Sequence, residues 1–532
     1  MATNQLFTKK PLSVLLAEAE GVGEHRLRRA LGPVGLTAMG IGAIIGTGIF
    51  VLIGKAALTA GPSLIVSFVV AGLACIFAAL CYAEFASMAP VAGSAYTYAY
   101  ATLGELMAWI IGWDLILEYA VASAAVSHGW SKYFQSLLAL LFDGWKLPQA
   151  IADAPFDYNK AGEFVRTGGV LDLPAMIIAL LLTALLVYGI KESARFNSIM
   201  VAIKVGVVLF VVGAGAFLIN PDNWRPFAPS GFGGITFFGK MIWGEHGTIG
   251  PLGMMAGAAI IFFAYLGFDA VSTQAEEAKN PKRDIPIGII GSLLICTLLY
   301  IAVAAVLTGM VNTPEIIEGE KAGSAAAATA GTEDVATPRA KDFKEAPVAF
   351  AFKEKHMPWA QFLVTVGALT GMTSVLLVMM LGQPRILFAM SRDGLLPHGF
   401  FGAIHPRFRT PWKSTILTGA VVAAGGSLLP LNVLAELTNI GTLFAFIVVC
   451  GAVMVMRKVD PHAERPFRVP FNPVVPICGI VLCLLLMMSL PWENWLRLAI
   501  WLLVGFCIYF TYGVRHSKLR QLNLQAAEGK TP

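Results

Sequence analysis

The sequence has few charged residues for its length. Of its 532 residues, only 13% are Asp, Glu, Lys or Arg, whereas 57% are hydrophobic. A soluble domain holds about 25% charged and about 45–50% apolar residues, and no soluble core hides this much apolar surface. The composition therefore excludes a cytosolic enzyme and a disordered chain. The net charge of +5 is also too small and too scattered for a nucleic-acid-binding patch.

Motifs for catalysis, nucleotide binding and metal binding are also missing. The seven cysteines all lie in apolar stretches, and none has zinc-ligand spacing. The chain has no Walker A, GxSxG or HExxH sequence, which argues against an enzyme and against transport driven by a bound nucleotide. We therefore expect no catalytic residue, no cofactor and no resident metal.

Long hydrophobic runs are what the sequence has in abundance. A membrane-spanning helix needs about 20 mostly apolar residues, and twelve segments qualify as candidates. The predicted spans are 34–58, 63–88, 97–127, 172–190, 197–219, 251–275, 286–311, 358–389, 412–429, 432–456, 473–490 and 494–513. The third and eighth are long enough to tilt strongly or to contain an interfacial turn. The sequence thus predicts an all-α, multi-pass protein of the cell membrane, embedded in the lipid bilayer.

The distribution of Lys and Arg predicts which side of the membrane each connection occupies. Basic residues are more numerous in the two tails and in the loops on the N-terminal side than in the opposite loops. Because cytoplasmic loops carry the excess of positive charge, both termini are predicted to be cytoplasmic. The first 32 residues lack the apolar core of a signal peptide, which agrees with a cytoplasmic tail.

Several boundaries follow from the span pattern. The predicted parts are a cytoplasmic tail 1–33, five spans over 34–219, five spans over 251–456, two further spans over 473–513, and a cytoplasmic tail 514–532. Two external loops, 128–171 and 312–357, are long. Residues 319–340 are rich in Ala, Gly, Thr and charge and are predicted to form a flexible surface loop. Residues 346–352 are more apolar and could form a short helix over the bundle.

Glycine is concentrated in the first predicted span. Its glycines include Gly40, Gly42, Gly46, Gly48 and Gly54. Each costs about 1 kcal/mol relative to alanine in a helix, so the cluster predicts an unwound stretch near Gly46-Thr47-Gly48. Plain helix packing through a GxxxG pair, Gly42 and Gly46, is an alternative, and glycine is common in membrane helices anyway.

The sixth predicted span supports an interrupted helix. Gly267 lies near its middle, and Asp269 follows two residues later. Spans one and six occupy matching positions in two groups of five, and paired interruptions at matching positions point to the binding site of a transporter built from an inverted repeat. A broken helix exposes free N–H groups at one new end and free carbonyls at the other. The first suit a carboxylate and the second an ammonium, and glycine at 46 and 48 lets a ligand approach.

Ionisable residues inside a membrane span are costly and are functional candidates by default. Lys204 lies in the fifth span, about 12 Å along the helix from Phe196. Because burial disfavours a charged amine, Lys204 is a candidate for proton exchange. It could also be a structural lysine that caps the carbonyls of the broken first span, and one amine could do both.

Acidic residues also lie well inside several of the predicted spans. A structural and a functional role are equally consistent with the position of Glu84. The position of Glu118 is similar, but it slightly favours a residue that lines a pathway through the helices. Asp269 is predicted mainly to hydrogen-bond the broken sixth span. Asp114 could instead lie near a membrane interface.

These residues lie within motifs that resemble the amino acid–polyamine–organocation (APC) superfamily of transporters. The matching segments are Gly46-Thr47-Gly48-Ile49-Phe50, Tyr82-Ala83-Glu84-Phe85, Gly93-Ser94-Ala95-Tyr96, Phe263-Ala264-Tyr265-Leu266-Gly267-Phe268-Asp269, Glu276-Glu277-Ala278-Lys279-Asn280-Pro281 and Pro384-Arg385-Ile386-Leu387-Phe388-Ala389-Met390-Ser391-Arg392-Asp393-Gly394. The resemblance is closest to the cationic amino acid transporter branch. Twelve spans are typical of its bacterial members, whereas animal members carry fourteen.

The resemblance implies a fold and a set of site residues. The fold is a five-plus-five inverted repeat with discontinuous helices one and six and two additional C-terminal helices. The implied substrate contacts are Ile44, Thr47 and Gly48, with the carbonyls of Phe263, Ala264 and Leu266. Lys204 would stand where sodium-coupled relatives hold an ion, which favours proton coupling. Thr373 and Ser374 in span eight would lie near the same place.

The function expected from these features is secondary active transport of L-amino acids, coupled to protons and operating by alternating access. The alternative is an amino acid exchanger without proton coupling, which would tolerate Lys204→Ala better. A sensor would carry a soluble signalling domain, and a channel a continuous ring of pore charge; the sequence has neither. A small neutral amino acid such as alanine is expected as readily as arginine or lysine, because the acids near the broken helices are few.

Overall fold

The computed structural model describes residues 6–11, 31–88, 94–158, 164–237, 239–246, 251–330 and 337–521. Most of the predicted N-terminal tail, Gly93 of one motif, residues 331–336 and the last part of the C-terminal tail lie outside these ranges. Within them the protein is a bundle of helices with three short antiparallel hairpins. The hairpins pair β1 (Phe156–Tyr158) with β2 (Phe164–Arg166), β3 (Ile235–Phe237) with β4 (Lys240–Trp243), and β5 (Glu245–His246) with β6 (Pro251–Leu252).

The helices follow the hydrophobic runs of the sequence. They are α1 (Pro33–Ile44), α2 (Ile53–Ala60), α3 (Leu64–Met88), α4 (Ser94–Thr102), α5 (Glu105–Ile116), α6 (Ala122–Leu141), α7 (Gln149–Ala152), α8 (Leu173–Tyr188), α9 (Ile190–Ala216), α10 (Met254–Ile261), α11 (Pro281–Met310), α12 (Thr313–Ala330), α13 (Pro338–Glu345), α14 (Pro347–Glu354), α15 (Pro358–Arg392), α16 (His398–Phe401), α17 (Trp412–Leu428), α18 (Leu431–Val459), α19 (Val474–Met488), α20 (Trp492–Ile508) and α21 (Val514–His516). Many begin at a proline, whose fixed φ and missing N–H suit the first turn of a helix.

Each of the twelve predicted spans overlaps at least one helix, and the third overlaps α4, α5 and α6. By length and composition, eight stretches of the described residues are long and apolar enough to cross a membrane. One of them, Gly48–Met88, contains the end of the first predicted span and the whole of the second, and it turns at Gly61, where φ is +65°. Among three shorter apolar helices, α1 is the beginning of the first predicted span, and α8 and α19 correspond to the fourth and the eleventh.

Two predictions about the connecting segments need correction. The flexible loop predicted at 319–340 is wrong for most of its length, because α12 and α13 occupy 313–330 and 338–345. Alanine is the strongest helix former, and α12 is rich in it. The external loop predicted to start at 128 also starts too early, since α6 continues to Leu141. The short helix predicted over 346–352 is confirmed as α14.

The long helices pack against one another in a set of extensive pairwise contacts. The α11 helix lies along both α3 and α1, and α10 lies along α3. The α15 helix packs on α6 and α9, whereas α8 packs on α17 and α18 packs on α19. Their apolar residues form one continuous core that surrounds the interruptions in predicted spans one and six.

The described ends of the chain meet at one end of the bundle. Lys10 Nζ donates to Asp393 Oδ1 over 2.6 Å, and the Lys518 backbone N–H donates to the Asp393 carbonyl over 3.1 Å. Ser517 donates to Glu105, which begins α5. Both described ends of the chain therefore lie at the same end of the bundle.

Candidate functional site

The predicted interruption of the first span is confirmed. The α1 helix ends at Ile44, and Ile45 takes an extended conformation with φ −73° and ψ 104°. A π-helical turn then begins at Gly48 and continues into α2. Turns of this kind occur frequently at functional sites. The first N–H groups of this second half have no intrahelical partner and face the interruption.

The predicted interruption of the sixth span is also confirmed. The α10 helix passes into a tight 3₁₀ turn, Phe262–Tyr265, and Leu266 is extended with ψ 143°. Gly267 follows at φ +103°, a conformation that side chains with a Cβ rarely adopt. A second 3₁₀ helix, Phe268–Glu277, continues the chain.

The two interruptions lie directly against each other. A methyl group added at Gly48 would overlap the backbone of Ala264, and one added at Gly267 would lie 2.9 Å from the carbonyl oxygen of Ala43. At Gly46 the same methyl group would meet the side chain of Val375 on α15. Glycine at 46, 48 and 267 is therefore what allows the broken segments and α15 to converge.

Lys204 caps the carbonyl end of α1. Its Nζ donates to the carbonyl of Gly42, to that of Ile45 over 2.9 Å, and to Ser374 Oγ over 3.3 Å. Ser374 in turn donates to Asn197 Oδ1 over 2.7 Å. Lys204 is fully buried, so its amine belongs to the interruption and does not reach the membrane surface.

Other side chains hold carbonyls near the two interruptions. Tyr300 Oη donates to the carbonyl of Ile44 over 3.0 Å, and Tyr133 Oη donates to that of Phe50 over 2.7 Å. Asn439 Nδ2 donates to the carbonyl of Ala259 over 2.9 Å, near the end of α10. Lys204 and Tyr300 thus occupy the carbonyls of Gly42, Ile44 and Ile45 at the end of α1. In the sixth span, the Phe263 carbonyl accepts from the Leu266 N–H over 3.3 Å.

Thr47 places an unused hydroxyl at the first interruption. It is 1% exposed, and its Oγ1 has no hydrogen-bond partner among the described residues. Gly129 on α6 approaches it closely, since a methyl group there would lie 3.2 Å from Oγ1. Buried hydroxyls are normally paired, and an unpaired one beside free N–H groups suits a ligand.

Glu118 and Asp269 are both buried where predicted spans three and six meet. Glu118 lies in a π-helical turn, Leu117–Val121, that connects α5 with α6. Its neighbour Tyr119 donates from Oη to Asp269 Oδ2 over 2.7 Å. Asp114 is 1% exposed and is therefore buried inside the bundle.

Glu84 does not join either group. Its carboxylate accepts hydrogen bonds from Arg457 Nε over 3.0 Å and from the Val469 N–H over 2.7 Å, and Arg465 Nε lies 3.5 Å from it. These contacts connect the last turn of α3 to the end of α18 and the loop that follows. The geometry favours the structural interpretation of Glu84.

Thr373 and Ser374 face different partners. Ser374 contacts Lys204, whereas Thr373 Oγ1 accepts from Trp130 Nε1 over 3.0 Å and donates to the Leu369 carbonyl. Of the two neighbours, only Ser374 directly contacts the Lys204 amine.

Sequence reasoning missed several polar residues of the site. Asn197, Asn439, Tyr119 and Tyr300 all hydrogen-bond groups at or beside the interruptions. A search of the predicted spans for ionisable groups passes over amides. Mid-span asparagine is nevertheless a usable signal, since it needs a hydrogen-bond partner inside a membrane.

Comparisons with known proteins agree with this architecture. A sequence model of the amino acid permease family, described as "Amino acid permease", matches residues 31–511. The chain is 47% identical to the branched-chain amino acid permease BcaP of Bacillus subtilis (strain 168) over 97% of its length and 99% of that protein. It is 45% identical to the methylthioribose transporter of the same organism over 97% of its length and 100% of that protein.

A plant relative is more distant. The chain is 37% identical to the vacuolar cationic amino acid transporter 4 of Arabidopsis thaliana, over 82% of its own length and 65% of that protein. The similarity therefore extends to the cationic amino acid transporters as well as to bacterial permeases.

Proposed function

The chain belongs to the amino acid permease family of the APC superfamily, and we propose that it is a secondary transporter that moves L-amino acids together with protons. Members of this family are multi-pass membrane transporters and not enzymes. The observation that carries the proposal is the bonding of Lys204 to the Gly42 and Ile45 carbonyls, at the interruption where the substrate would bind.

The proposed substrate site lies between the two interruptions. The N–H groups around Gly46, Thr47 and Gly48 would receive the carboxylate of the amino acid, with the Thr47 hydroxyl as a further donor. The carbonyls of Ala264 and Leu266, together with that of Phe263, which also accepts from the Leu266 N–H, would receive its ammonium. The carbonyls of Ile44 and Ile45 are already bonded by Tyr300 and Lys204. This division of the backbone groups supports a zwitterion as the ligand.

Lys204 would carry the coupling proton. A charged amine donates to the α1 carbonyls and fixes the end of α1, whereas a neutral amine has one proton fewer and holds them more weakly. Gain and loss of that proton would thus alter the position of α1 relative to α15, which provides a basis for alternating access. An exchanger would use Lys204 only as a fixed structural cation.

The side chain of the substrate is proposed to be neutral and aliphatic. Val375 lies against Gly46, and Val51 lies against Gly129 beside Thr47, so part of the surface around the first interruption is aliphatic. The 47% identity to a branched-chain amino acid permease supports the same class. Cationic amino acids and methylthioribose are the competing substrates that the names of the other relatives suggest.

We also propose twelve spans in an inverted repeat over 34–219 and 251–456, with both termini cytoplasmic. Two helix contacts support the repeat. The α1 helix of span one packs on α11 of span seven, and α10 of span six packs on α3 of span two. An inverted repeat relates span one to span six and span two to span seven, so it predicts both contacts. Impermeant thiol labelling of Lys518→Cys and Glu315→Cys, in a cysteine-free background, tests the orientation. Only Glu315→Cys is expected to react in intact cells.

Uptake into liposomes tests the function. Purified protein would be supplied with labelled leucine, alanine, lysine and methylthioribose, with and without an inward proton gradient. Uptake of leucine that increases with the gradient is the expected result. Uptake that does not depend on the gradient but requires amino acid inside the liposomes would show that the protein is an exchanger and not a symporter. Uptake of methylthioribose alone would overturn the amino acid assignment.

A further inference from the structure

A loop with basic and aromatic side chains connects α15 with α17. It follows Asp393, the residue that both described ends of the chain contact, so it begins at that end of the bundle. Arg407 and Arg409 lie in this loop, and Lys413 lies in the first turn of α17. The chain has no Asp or Glu between Asp393 and Glu436. The positive charge of the segment is therefore not offset by acids of its own sequence.

The two arginines of the loop have no acidic partner in the structure. Arg407 and Arg409 are exposed, and neither forms an ion pair within the described ranges. Asp393, the acid nearest to them in the sequence, accepts from Lys10 Nζ and from Tyr96 Oη over 2.6 Å each. Both arginine charges are thus available to an anion that is not part of the chain.

Hydrogen bonds and ring contacts hold the loop in a fixed turn on the end of α8. The Nδ1 atom of His405 accepts from the backbone N–H groups of Arg407, over 3.2 Å, and Phe408, over 3.1 Å. Thr410 Oγ1 donates over 3.1 Å to a backbone carbonyl in the last turn of α8. The ring centroids of Tyr188, also in that turn, and Phe408 are 5.3 Å apart. The arginines are therefore presented from a turn that is bound to α8.

An exposed apolar face of α8 leads to this turn. The exposed residues of the helix follow one face and are Ile177, Leu180, Leu181, Ala184 and Tyr188. From Ile177 to Tyr188 the face is about 16 Å long, close to the thickness of one leaflet of the hydrocarbon core, about 15 Å. The α17 helix packs along α8 and exposes Ile416, Leu417 and Val421. The two helices thus offer the acyl chains of one leaflet an apolar surface that ends beside the arginines.

Aromatic side chains mark the boundary between the apolar face and the charged turn. Phe400 is 41% exposed, and Lys413 Nζ lies 5.9 Å from its ring centroid and 5.7 Å from that of Trp412. Amphipathic rings and adjacent cations are typical of the depth at which lipid headgroups begin. Basic sites at helix ends at this depth bind anionic headgroups, and arginine can bond two phosphate oxygens at once.

We propose that the turn 404–411, with Lys413, binds the headgroup of an anionic phospholipid whose acyl chains lie on the exposed face of α8. Arg407 and Arg409 bond the phosphate, and Lys413 adds a third positive charge. An anionic lipid is preferred to phosphatidylcholine, because the choline group brings a cation of its own to a site that is already positive. A free phosphate lacks the part that fits the apolar face. The inference depends on the membrane location of the chain and not on the substrate that it transports.

Lipid binding to the purified full-length protein tests the proposal. Native mass spectrometry, after exposure to equal amounts of phosphatidylglycerol and phosphatidylcholine, measures which lipid is retained. The melting temperature in detergent, measured at increasing phosphatidylglycerol, gives the concentration for half of the stabilisation. Arg407→Gln combined with Arg409→Gln removes both charges. Lys282→Gln combined with Lys353→Gln is the matched control, because it removes two exposed lysines that are already paired with acids.

The wild-type protein and the control are expected to retain phosphatidylglycerol in preference to phosphatidylcholine and to melt higher in its presence. The glutamine double variant should need about 25-fold more phosphatidylglycerol, since each basic residue near an anionic headgroup contributes about a fivefold factor in affinity. Arg407→Gln alone should need about fivefold more. Both arginines are exposed, so size exclusion should show every variant to be folded. Replacing both arginines by lysine keeps the charge and should restore most of the binding.

Three results would overturn the inference. The first is an equal response of the glutamine double variant and the control to phosphatidylglycerol. The second is equal retention of the two lipids by the wild-type protein, which would show that the charge is not recognised. The third is stabilisation by glycerol 3-phosphate, which has no acyl chains, as strong as that by phosphatidylglycerol, since the site would then bind a soluble phosphate.

Discussion

The Lys204 amine on α9 donates a 2.9 Å hydrogen bond to the carbonyl of Ile45, the residue at which α1 ends. A lysine of the fifth span thereby satisfies backbone that the interruption of the first span leaves without a helical partner. The bond makes the position of α1 sensitive to the state of a single amine. It is the contact on which the proposed coupling depends.

Lys204→Met is expected to abolish gradient-driven uptake. Methionine fills a similar space but leaves the Gly42 and Ile45 carbonyls without their donor, at a cost of about 1–3 kcal/mol for each buried group. Liposome uptake with and without a proton gradient measures the effect. Lys282→Met, at an exposed position paired only with Glu464, is the control and should transport normally. Gradient-driven uptake by Lys204→Met at the wild-type rate would contradict the coupling role.

Gly48→Ala is expected to abolish transport. The added methyl group would overlap Ala264, so the two interruptions could not approach each other. Gly206→Ala on α9 is a matched control, because a methyl group there would meet nothing within 4 Å. This control should be neutral or stabilising by up to about 1 kcal/mol, the helix-propensity difference between the residues. Leucine counterflow measures both variants, and equal activity would show that the close approach is unnecessary.

Thr47→Val and Thr47→Ser separate the hydroxyl from the shape of the side chain. Valine removes the unpaired Oγ1, so KM for leucine is expected to rise by about tenfold, the equivalent of one good hydrogen bond. Serine retains the hydroxyl and should stay near wild type. Uptake at a series of leucine concentrations gives KM for each. A KM that changes equally in the two variants would assign Thr47 to packing alone.

Glu84→Gln is expected to destabilise the protein by about 3–5 kcal/mol, because it leaves two arginines without the carboxylate they share inside the protein. Arg465 and Glu84 have side chains only 5% and 3% exposed. The melting temperature in detergent measures the loss. Glu464→Gln removes an exposed ion pair with Lys282 and should change the melting temperature little. A similar shift in both variants would show that the Glu84 contacts are not special.

The stability contributed by Glu345 on α13 is expected to fall as pH rises. Burial raises the pKa of this carboxyl above its usual value, and the nearby Lys132 and Lys341 only partly offset that effect. An acid with a raised pKa stabilises the folded state below its ordinary titration range, and this stability is lost as pH rises through the folded pKa. Glu345→Gln should therefore melt higher than wild type at neutral pH and equally at low pH. A lower melting temperature at neutral pH would contradict this sign.

The interruptions were predictable because their cause is local. Gly46 and Gly48 lie within an apolar run, and Gly267 precedes an acid by two residues, so helix propensity alone identified both places. The positions of the hydrophobic runs likewise agree with α3, α8, α11, α17 and α19 to within a few residues. The polyalanine character of α12 was present in the sequence too, but its mixture with charge and glycine was interpreted as a loop.

Pairing between distant segments was not predictable in the same way. Glu84 bonds Arg457, which lies 373 positions further along the chain, and Asn439 bonds the Ala259 carbonyl across 180 positions. Periodicity places each residue on a helix but does not say which neighbouring helix faces it. Mid-span amides such as Asn197 and Asn439 also resemble ordinary helix residues until the carbonyls that they bond are known.

The sequence by itself determined the membrane location, the helical runs and the two interruptions, because each follows from hydrophobicity or from backbone preference within one short segment. Only the tertiary structure decided that Lys204 caps α1, that Glu84 lies apart from the site, and that Tyr119 of the third span bonds Asp269 of the sixth. These relationships depend on how the helices pack. The local sequence around a residue does not indicate which distant residue it will contact once the helices have packed.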